Sequence, residues 1–507
     1  MTKVALLTAL IALVSQLLGF TREILVAKYY GISYITDAYI VSVVSPTILM
    51  GFIASGLASV FIPKYIKLQH DNDVRSANLY TSNLILILLL LGTLVAFCCY
   101  YFSGSVIKLF AVGFSSQAGE LADILFHITI LSSPFILINV IYIGYLQIKG
   151  DYIYASSVLI PSHLVSITFV IISYLLNSYI VLAVGYLVGI LTQFLLLSIK
   201  SNKYKLFQGV SSPKITNEIK DTYFLALPVM IGASVNQVNY IFDRTMASTV
   251  GDGAISIINY SSRISSIIEV VLITTMVSLF YPKISEAINC NIKKFNVLLN
   301  EVVLILILIT IPCSFYIYYY SVDIIDFIFG RGEFGVDQVK STASILSIYG
   351  LAIPFVALKM ILNKVSYAFG KTKIPTIISI FCALTNITLN YLLVDKFGLS
   401  GIAFATVIST FLSAFILLIY LFTFDNVKLR LVFLSVLVCI VFIDAFFSVM
   451  LVEYLQDIID INIPIILKLS LVVVSFVMFF CCTGYFWIKN TIDNNNTLIL
   501  QRFSNVK

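Results

Sequence analysis

The chain has 507 residues, 60% of them hydrophobic and only 11% charged, with a formal net charge of +6. A soluble domain carries about 25% charged residues, so this composition excludes an ordinary soluble protein and points to a chain that lives in lipid. The positive balance is not a nucleic-acid signal, because most of the basic residues fall in one alternate set of loops.

A bilayer core requires roughly 20 apolar residues per helix. Runs of that kind predict fourteen spans, at 4–30, 35–66, 80–102, 121–147, 153–176, 179–199, 222–249, 254–281, 296–320, 342–369, 374–394, 400–423, 430–452 and 463–488. Spans 2, 8 and 10 exceed the minimum and are expected to tilt or project. The first run lacks a small-residue cleavage site and continues into Arg22 and Glu23, so it reads as a span and not as a leader. Loops after even-numbered spans, together with both termini, hold twenty Lys and Arg; the opposite loops hold four, and seven lie within spans. The positive-inside rule then predicts both termini in the cytoplasm.

The chain repeats itself. Phe20-Thr21-Arg22 returns 222 residues later as Phe242-Asp243-Arg244, and Gly31 returns as Gly253. Tyr145 and Lys149 have counterparts Tyr367 and Lys371 at the same spacing. The exits Val60-Phe61-Ile62-Pro63-Lys64 and Leu279-Phe280-Tyr281-Pro282-Lys283 are nearly the same. Six spans per copy is an even number, so both copies have one orientation, as in transporters with parallel repeats about an axis along the membrane normal. The predicted organisation is an all-α polytopic membrane protein. It has a first six-helix repeat over 1–200, a basic cytoplasmic linker over 201–221, a second repeat over 222–425, and two further spans with a tail over 426–507.

Charges inside spans stand out, because a guanidinium at a helix centre costs about 2.5–3.5 kcal/mol on insertion scales. Arg22, Lys28, Arg244, Arg263, Lys359 and Lys364 lie in spans 1, 7, 8 and 10, against the acids Glu23, Asp37, Asp243 and Glu269. Arg22, Arg244 and Arg263 sit deep among Ser, Thr and Asn, which predicts a polar cavity between the two halves. A surplus of cations there suits a multivalent anion such as a phosphate, which Arg grips with two parallel bonds. Lys28 lies near a span end and equally suits a headgroup contact. Asn236, Asn239 and Asp243 share one face of span 7, Ser262, Ser266 and Glu269 one face of span 8, and Asn386 and Asn390 one face of span 11. Such oxygens suit a hard cation, or hydrogen bonds between helices; spacing leaves both open.

No catalytic constellation is present: no GxxxxGK[ST], HExxH or GxSxG. The eight Cys form no CxxC and the three His are isolated, so neither a disulfide framework nor a resident metal cofactor is expected. The chain reads as a transporter driven by an ion gradient, the membrane potential or its substrate gradient, and not as an enzyme.

The stretch from Gly19 to Lys28, with Gly31 and Thr36-Asp37-Ala38-Tyr39, resembles the opening of the MurJ (MviN) lipid II flippases of the multidrug/oligosaccharidyl-lipid/polysaccharide exporter superfamily. Asp243-Arg244, Asn259-Tyr260-Ser261-Ser262-Arg263, Phe280-Tyr281-Pro282-Lys283, Gly330-Arg331-Gly332-Glu333-Phe334 and Tyr367-Ala368-Phe369-Gly370-Lys371-Thr372-Lys373-Ile374-Pro375 follow in order, so the resemblance covers 1–425. It implies a flippase in the bacterial cytoplasmic membrane. Its cargo would be an undecaprenyl-pyrophosphate-linked saccharide, moved to the outer leaflet by alternating access. Membrane lipids, and cell-wall or polysaccharide assembly enzymes, would be its surroundings and partners. By the resemblance, Arg22, Lys28 and Arg263 engage the pyrophosphate with Asp37 beside them. Asp243, Asn386, Asn390 and Thr406 match a sodium site of some relatives, with a proton as the other coupling ion; Asn390 stands where an acid is expected. Span 2 lacks the family's Arg-Arg pair and following Glu, having Pro46-Thr47-Ile48-Leu49-Met50-Gly51 instead. The overall motif match favours lipid II as cargo, and that departure keeps an O-antigen or capsule repeat unit, carried by Wzx-type relatives, as the alternative. A cation-coupled drug exporter, which would favour acidic and aromatic cavity residues, fits the buried cations less well. A non-transporting scaffold would need no buried cations.

Overall fold

The computed structural model describes residues 2–71, 73–207, 213–424, 427–459 and 463–493. The tail cations Arg502 and Lys507 lie outside them. Among the described residues there is no strand, and fourteen helices are long and apolar enough to cross a membrane. They are Leu6–Tyr30, Tyr34–Asp71, Val74–Tyr101, Ser116–Ile148, Tyr152–Leu175, Ile180–Asn202, Asn217–Ser248, Ala254–Ile288, Ile292–Tyr319, Val336–Ala368, Lys373–Phe397, Leu399–Thr423, Leu431–Ile458 and Ile465–Gly484. These are spans 1 to 14, and the chain is a multi-pass membrane protein. Spans 2, 3, 4 and 10 run past their apolar stretches, because helix capping continues where hydrophobicity stops. Asp73, for example, accepts from Ser76 N at 2.6 Å and so starts span 3 at Val74.

The repeat is written in the backbone as well as in the residues. Gly31 and Gly253, which follow spans 1 and 7, both take positive φ, at 61° and 87°. Short helices Ser103–Phe110 and Ser321–Phe329 follow spans 3 and 9. Both are too short for an apolar-run reading to detect. Spans 4 and 10 end alike, with Gly150 at φ 86° and Gly370 at 73°. Their closing bonds are Asp151 N to Leu146 O and Lys371 N to Ser366 O, each 2.9 Å. These caps align at a spacing of 220, so the Tyr145/Tyr367 and Lys149/Lys371 coincidences at 222 are two residues out of structural register.

The chain packs as two compact units, 1–256 with 331–335, and 257–330 with 336–507. This division departs from the sequence map of 1–200, 201–221, 222–425 and 426–507. Span 7 belongs with the first unit because it lies along span 2. A Cβ on Gly56 would come within 2.3 Å of Met230 Cγ and 2.8 Å of Ala226 O. Spans 13 and 14 belong with the second unit: Tyr316 and Ser448 hydroxyls meet at 3.0 Å, and Phe315 and Phe442 rings at 5.2 Å.

In the first unit the ends of spans 2, 3 and 4 share a polar knot with the linker. Tyr65 and Tyr145 both donate to Asn78 Oδ1, at 2.8 and 3.1 Å, while Lys149 Nζ donates to Tyr65 Oη at 2.8 Å. Tyr204 donates to Asp151 Oδ2, which also meets Lys200 Nζ at 3.2 Å. The Tyr204 hydroxyl, and then Lys200, hold the Asp151 carboxyl below its usual range. Burial lowers the Lys149 ammonium from its ordinary value. Lys64 to Asp221 at 3.0 Å and Tyr80 to Thr222 at 2.8 Å fasten the start of span 7 to the same knot.

Candidate functional site

Arg22 lies two turns from the end of the span 1 helix, with its side chain 17% exposed. Its nearest charge is Glu23, at 3.9 Å, a loose contact. The phenols of Tyr39 and Tyr186 lie within electrostatic reach, and Tyr186 Oη is tied to Thr47 Oγ1 at 2.8 Å. Arg22 Nε is buried and meets no acceptor among the described residues. A guanidinium carries five fixed donors. One with phenols in electrostatic reach and its carboxylate neighbour at 3.9 Å has the donors to hold an anion.

The other expected residues of the first unit are placed differently. Lys28 stands six residues, about 9 Å, further along the helix and on another face, exposed, with Nζ 5.5 Å from the Tyr29 ring centre. Its carbonyl accepts from Glu333 N at 2.9 Å, and a Cβ on Gly332, at φ 68°, would strike that oxygen at 2.3 Å. The backbone of Lys28 thus holds the Arg331–Gly335 segment. Asp37 was expected beside the cavity cations. Instead it is fully buried and receives Gly253 N and Ser256 N, both at 2.7 Å, with a further bond from Ser256 Oγ. It stands at the N-terminus of the span 8 helix, where a carboxylate satisfies backbone donors that have no helical partner. Arg244, the repeat counterpart of Arg22, is 2% exposed. Its guanidinium lies 3.5 Å from the Tyr240 ring centre and donates to Tyr240 O at 3.3 Å. Asp243 is partly buried beside it; the Asn236 side chain lies outside what is described.

In the second unit Arg263 is partly buried on span 8. Six residues on, the helix widens into a π-helical turn, Glu269–Thr274. Lys359 of span 10 lies within electrostatic reach of Glu269. Lys364, five residues later, points elsewhere, with Nζ 5.1 Å from the Tyr281 ring centre. Spans 11 and 12 bring Asn386, Asn390 and Thr406 together. Asn390 Nδ2 donates to Asn386 Oδ1 at 3.0 Å, and Asn386 Nδ2 reaches Thr406 Oγ1 and Ser409 Oγ, both at 3.4 Å. Ser409 is an addition; its signal is the i, i+3 spacing from Thr406. Asp243, expected to complete this set, belongs to the first unit. No group of three or more His, Cys, Asp or Glu suited to a metal occurs among the described residues. An apolar cavity of about 490 Å³ opens among spans 9, 10, 12 and 13, between Phe315, Tyr318, Phe355, Val407 and Phe442.

This chain is similar to lipid II flippases and to multidrug-resistance transporters. A protein described as a probable lipid II flippase MurJ from Thermotoga maritima is 28% identical over 408 residues, 80% of this chain and 82% of the relative. One of the same description from Buchnera aphidicola is 26% identical over 428 residues, 81% of each. A solved lipid II flippase MurJ in an inward closed conformation superposes with TM-score 0.81 at 23% identity, covering 95% of this chain and all of that one. An inward-facing multidrug-resistance MATE transporter of the MOP superfamily follows at TM-score 0.69 and 17% identity, covering 82% and 97%. The family model described as lipid II flippase MurJ matches residues 26–479. The chain therefore belongs to the lipid II flippase MurJ family.

Proposed function

We propose that this protein moves lipid II, the undecaprenyl-pyrophosphate-linked precursor of peptidoglycan, from the cytoplasmic to the outer leaflet of the bacterial cytoplasmic membrane. It would act by alternating access and without covalent chemistry. The observation that carries the reading is Arg22: a guanidinium inside a span, with a buried donor that meets no acceptor among the described residues and one carboxylate at 3.9 Å. Family membership supplies the cargo class. Arg263 and Lys359 offer the same chemistry within the second unit, and cations of this kind suit a pyrophosphate. Lys28, Asp37, Arg244 and Lys364 have protein or ring contacts that give them supporting roles. The distribution of loop charge supports a cytoplasmic position for both termini.

Outward movement of an anionic headgroup is favoured by an inside-negative potential, by about 2.3 kcal/mol per charge per 100 mV. A sodium ion or a proton is the second energy source in this reading. Asn386, Asn390, Thr406 and Ser409 offer amide and hydroxyl oxygens within the second unit, and Asp243, in the first, is the acid that the family resemblance names. Enzymes that assemble the cell wall are the expected partners on either side of the step.

The test is rescue. The gene is supplied to cells being depleted of their lipid II flippase, and separately to cells lacking an O-unit flippase. Growth of the first set supports the proposal. Rescue of the second set alone would assign the cargo to an O-antigen or capsule unit, the outcome that the missing span 2 arginines allow. Rescue of neither overturns it.

A further inference from the structure

The π-helical turn in span 8 is not needed to cross a membrane. A π turn adds one residue to an α-helix and re-aims the side chains around it, at a cost in backbone geometry. Here it begins at Glu269. The turn is docked on span 10: Thr274 Oγ1 donates to Glu269 O at 3.3 Å and lies 3.7 Å from Met360 Sδ. Met360 is the neighbour of Lys359. The widened turn therefore lies against span 10 beside Lys359, and Glu269 and Lys359 act on each other electrostatically. Neither closes an ion pair within 4 Å among the described residues, and both are partly exposed. A carboxylate and an ammonium that act on each other inside spans without closing an ion pair leave the ammonium able to take another anion.

We propose that Glu269 is the resident counter-anion of Lys359, a specificity- and release-determining residue that yields the ammonium to the substrate's pyrophosphate and reclaims it on exit. The inference rests on the pyrophosphate reading given above. A transporter gains nothing from binding its cargo equally tightly in every state, because cargo must leave. A carboxylate that competes for the lysine lowers affinity for the phosphate and gives the lysine a partner after release. Leaving a charge in a span without a counter-ion is costly, so an internal competitor is also what keeps the empty state stable. Arg263, six residues before Glu269 on the same span, remains outside this exchange and supplies the standing positive charge.

The experiment uses the full-length protein in lipid nanodiscs with undecaprenyl pyrophosphate as the probe. Binding is measured at several salt concentrations, and flipping is measured in proteoliposomes. Glu269→Gln is expected to bind the probe roughly tenfold tighter, within the range of coupling between linked sites, with a steeper salt dependence and a lower turnover. Glu269→Asp, which keeps the charge, should stay near the parent protein. Lys359→Met should bind more weakly, and adding Glu269→Gln to it should change nothing further. A merely structural role for Glu269 would lower stability without tightening binding. Unchanged affinity in folded Glu269→Gln, or a gain that persists without Lys359, overturns the inference. If Glu269→Gln does not fold, Lys359→Met binding as well as the parent protein overturns it instead. Parent protein that ignores the probe sinks the pyrophosphate reading and this inference together, so the two failures are distinguishable.

Discussion

Arg22 and Arg244 are repeat counterparts, yet the structure surrounds them differently. Arg244 is enclosed, stacked on Tyr240 and bonded to its carbonyl, whereas the Arg22 side chain is 17% exposed and has its carboxylate neighbour at 3.9 Å. Two consequences separate them. Arg22→Ala should insert and melt like the parent protein but lose transport by roughly a hundredfold, since losing a partner of a buried charge costs several kcal/mol of binding. Arg263→Ala is expected to behave in the same way. Arg244→Ala should instead lower the melting temperature, with about 2 kcal/mol lost from ring stacking and the void left behind. Flipping assays paired with thermal unfolding in detergent read both. Full complementation by Arg22→Ala and Arg263→Ala at native expression would end the claim that these cations hold the headgroup. The sequence alone could place both arginines in spans, but it could not tell them apart. Tyr240 is four residues from Arg244 and its ring could have pointed away.

At the scale of elements, the apolar runs located all fourteen spans, because hydrophobicity and helix length are set by the same bilayer thickness. What stayed illegible depends on contacts between distant elements. Asp37 read as a cavity acid because nothing local reveals that it meets backbone donors more than two hundred residues away. The π turn at Glu269 leaves no mark on the apolar pattern, since one added residue shifts the face without changing composition. The Arg331–Gly335 segment is another such case, held on the Lys28 carbonyl by a glycine at φ 68°. Gly332→Ala meets both the strained backbone and the close oxygen, with a cost of about 1–2 kcal/mol from the left-handed conformation alone. Faster hydrogen exchange at Glu333 N is the expected outcome, and exchange at the parent rate would show that the segment is held by something else. The knot at Asp151 makes a pH prediction. Its carboxyl is held below the ordinary 3.8, so its stabilisation is complete above that value and is lost as pH falls through the lower folded value. The Tyr204 hydroxyl is raised above its ordinary 10.0, so its contribution is complete below that value and is lost only as pH rises through the higher folded one. The destabilisation caused by Tyr204→Phe should therefore be constant between about pH 5 and pH 9. A midpoint near neutrality in that difference would mean that another group controls the knot.

For the whole molecule, the question is why a duplicated twelve-span body carries two more helices. Span 13 packs on span 9 through Tyr316–Ser448 and Phe315–Phe442, and Lys428 and Arg430 donate backbone N–H groups to Asn296 and Asn300 of span 9. Span 14 is tied to span 13 by Lys468–Glu453 at 2.8 Å and Thr483–Asp444 at 2.7 Å. The pair is thus part of the second unit's packing. It also supplies Phe442 to the apolar cavity of about 490 Å³, whose other walls come from spans 9, 10 and 12. A prenyl tail cannot share a site built from arginine and lysine, because apolar chain and cation make opposite demands on their surroundings. It needs an apolar track, and this cavity is a place for one. Deleting residues 426–507 removes Phe442 and opens that wall, and the truncated protein should insert with reduced stability. Its flipping of an undecaprenyl substrate should fall, while flipping of a short-chain analogue with the same headgroup should be largely kept. Equal losses for both chains would make spans 13 and 14 a packing element only. Undiminished flipping of the long chain would exclude the track altogether. Phe442→Ala, which leaves the helices in place, should reproduce a smaller version of the same chain-length dependence.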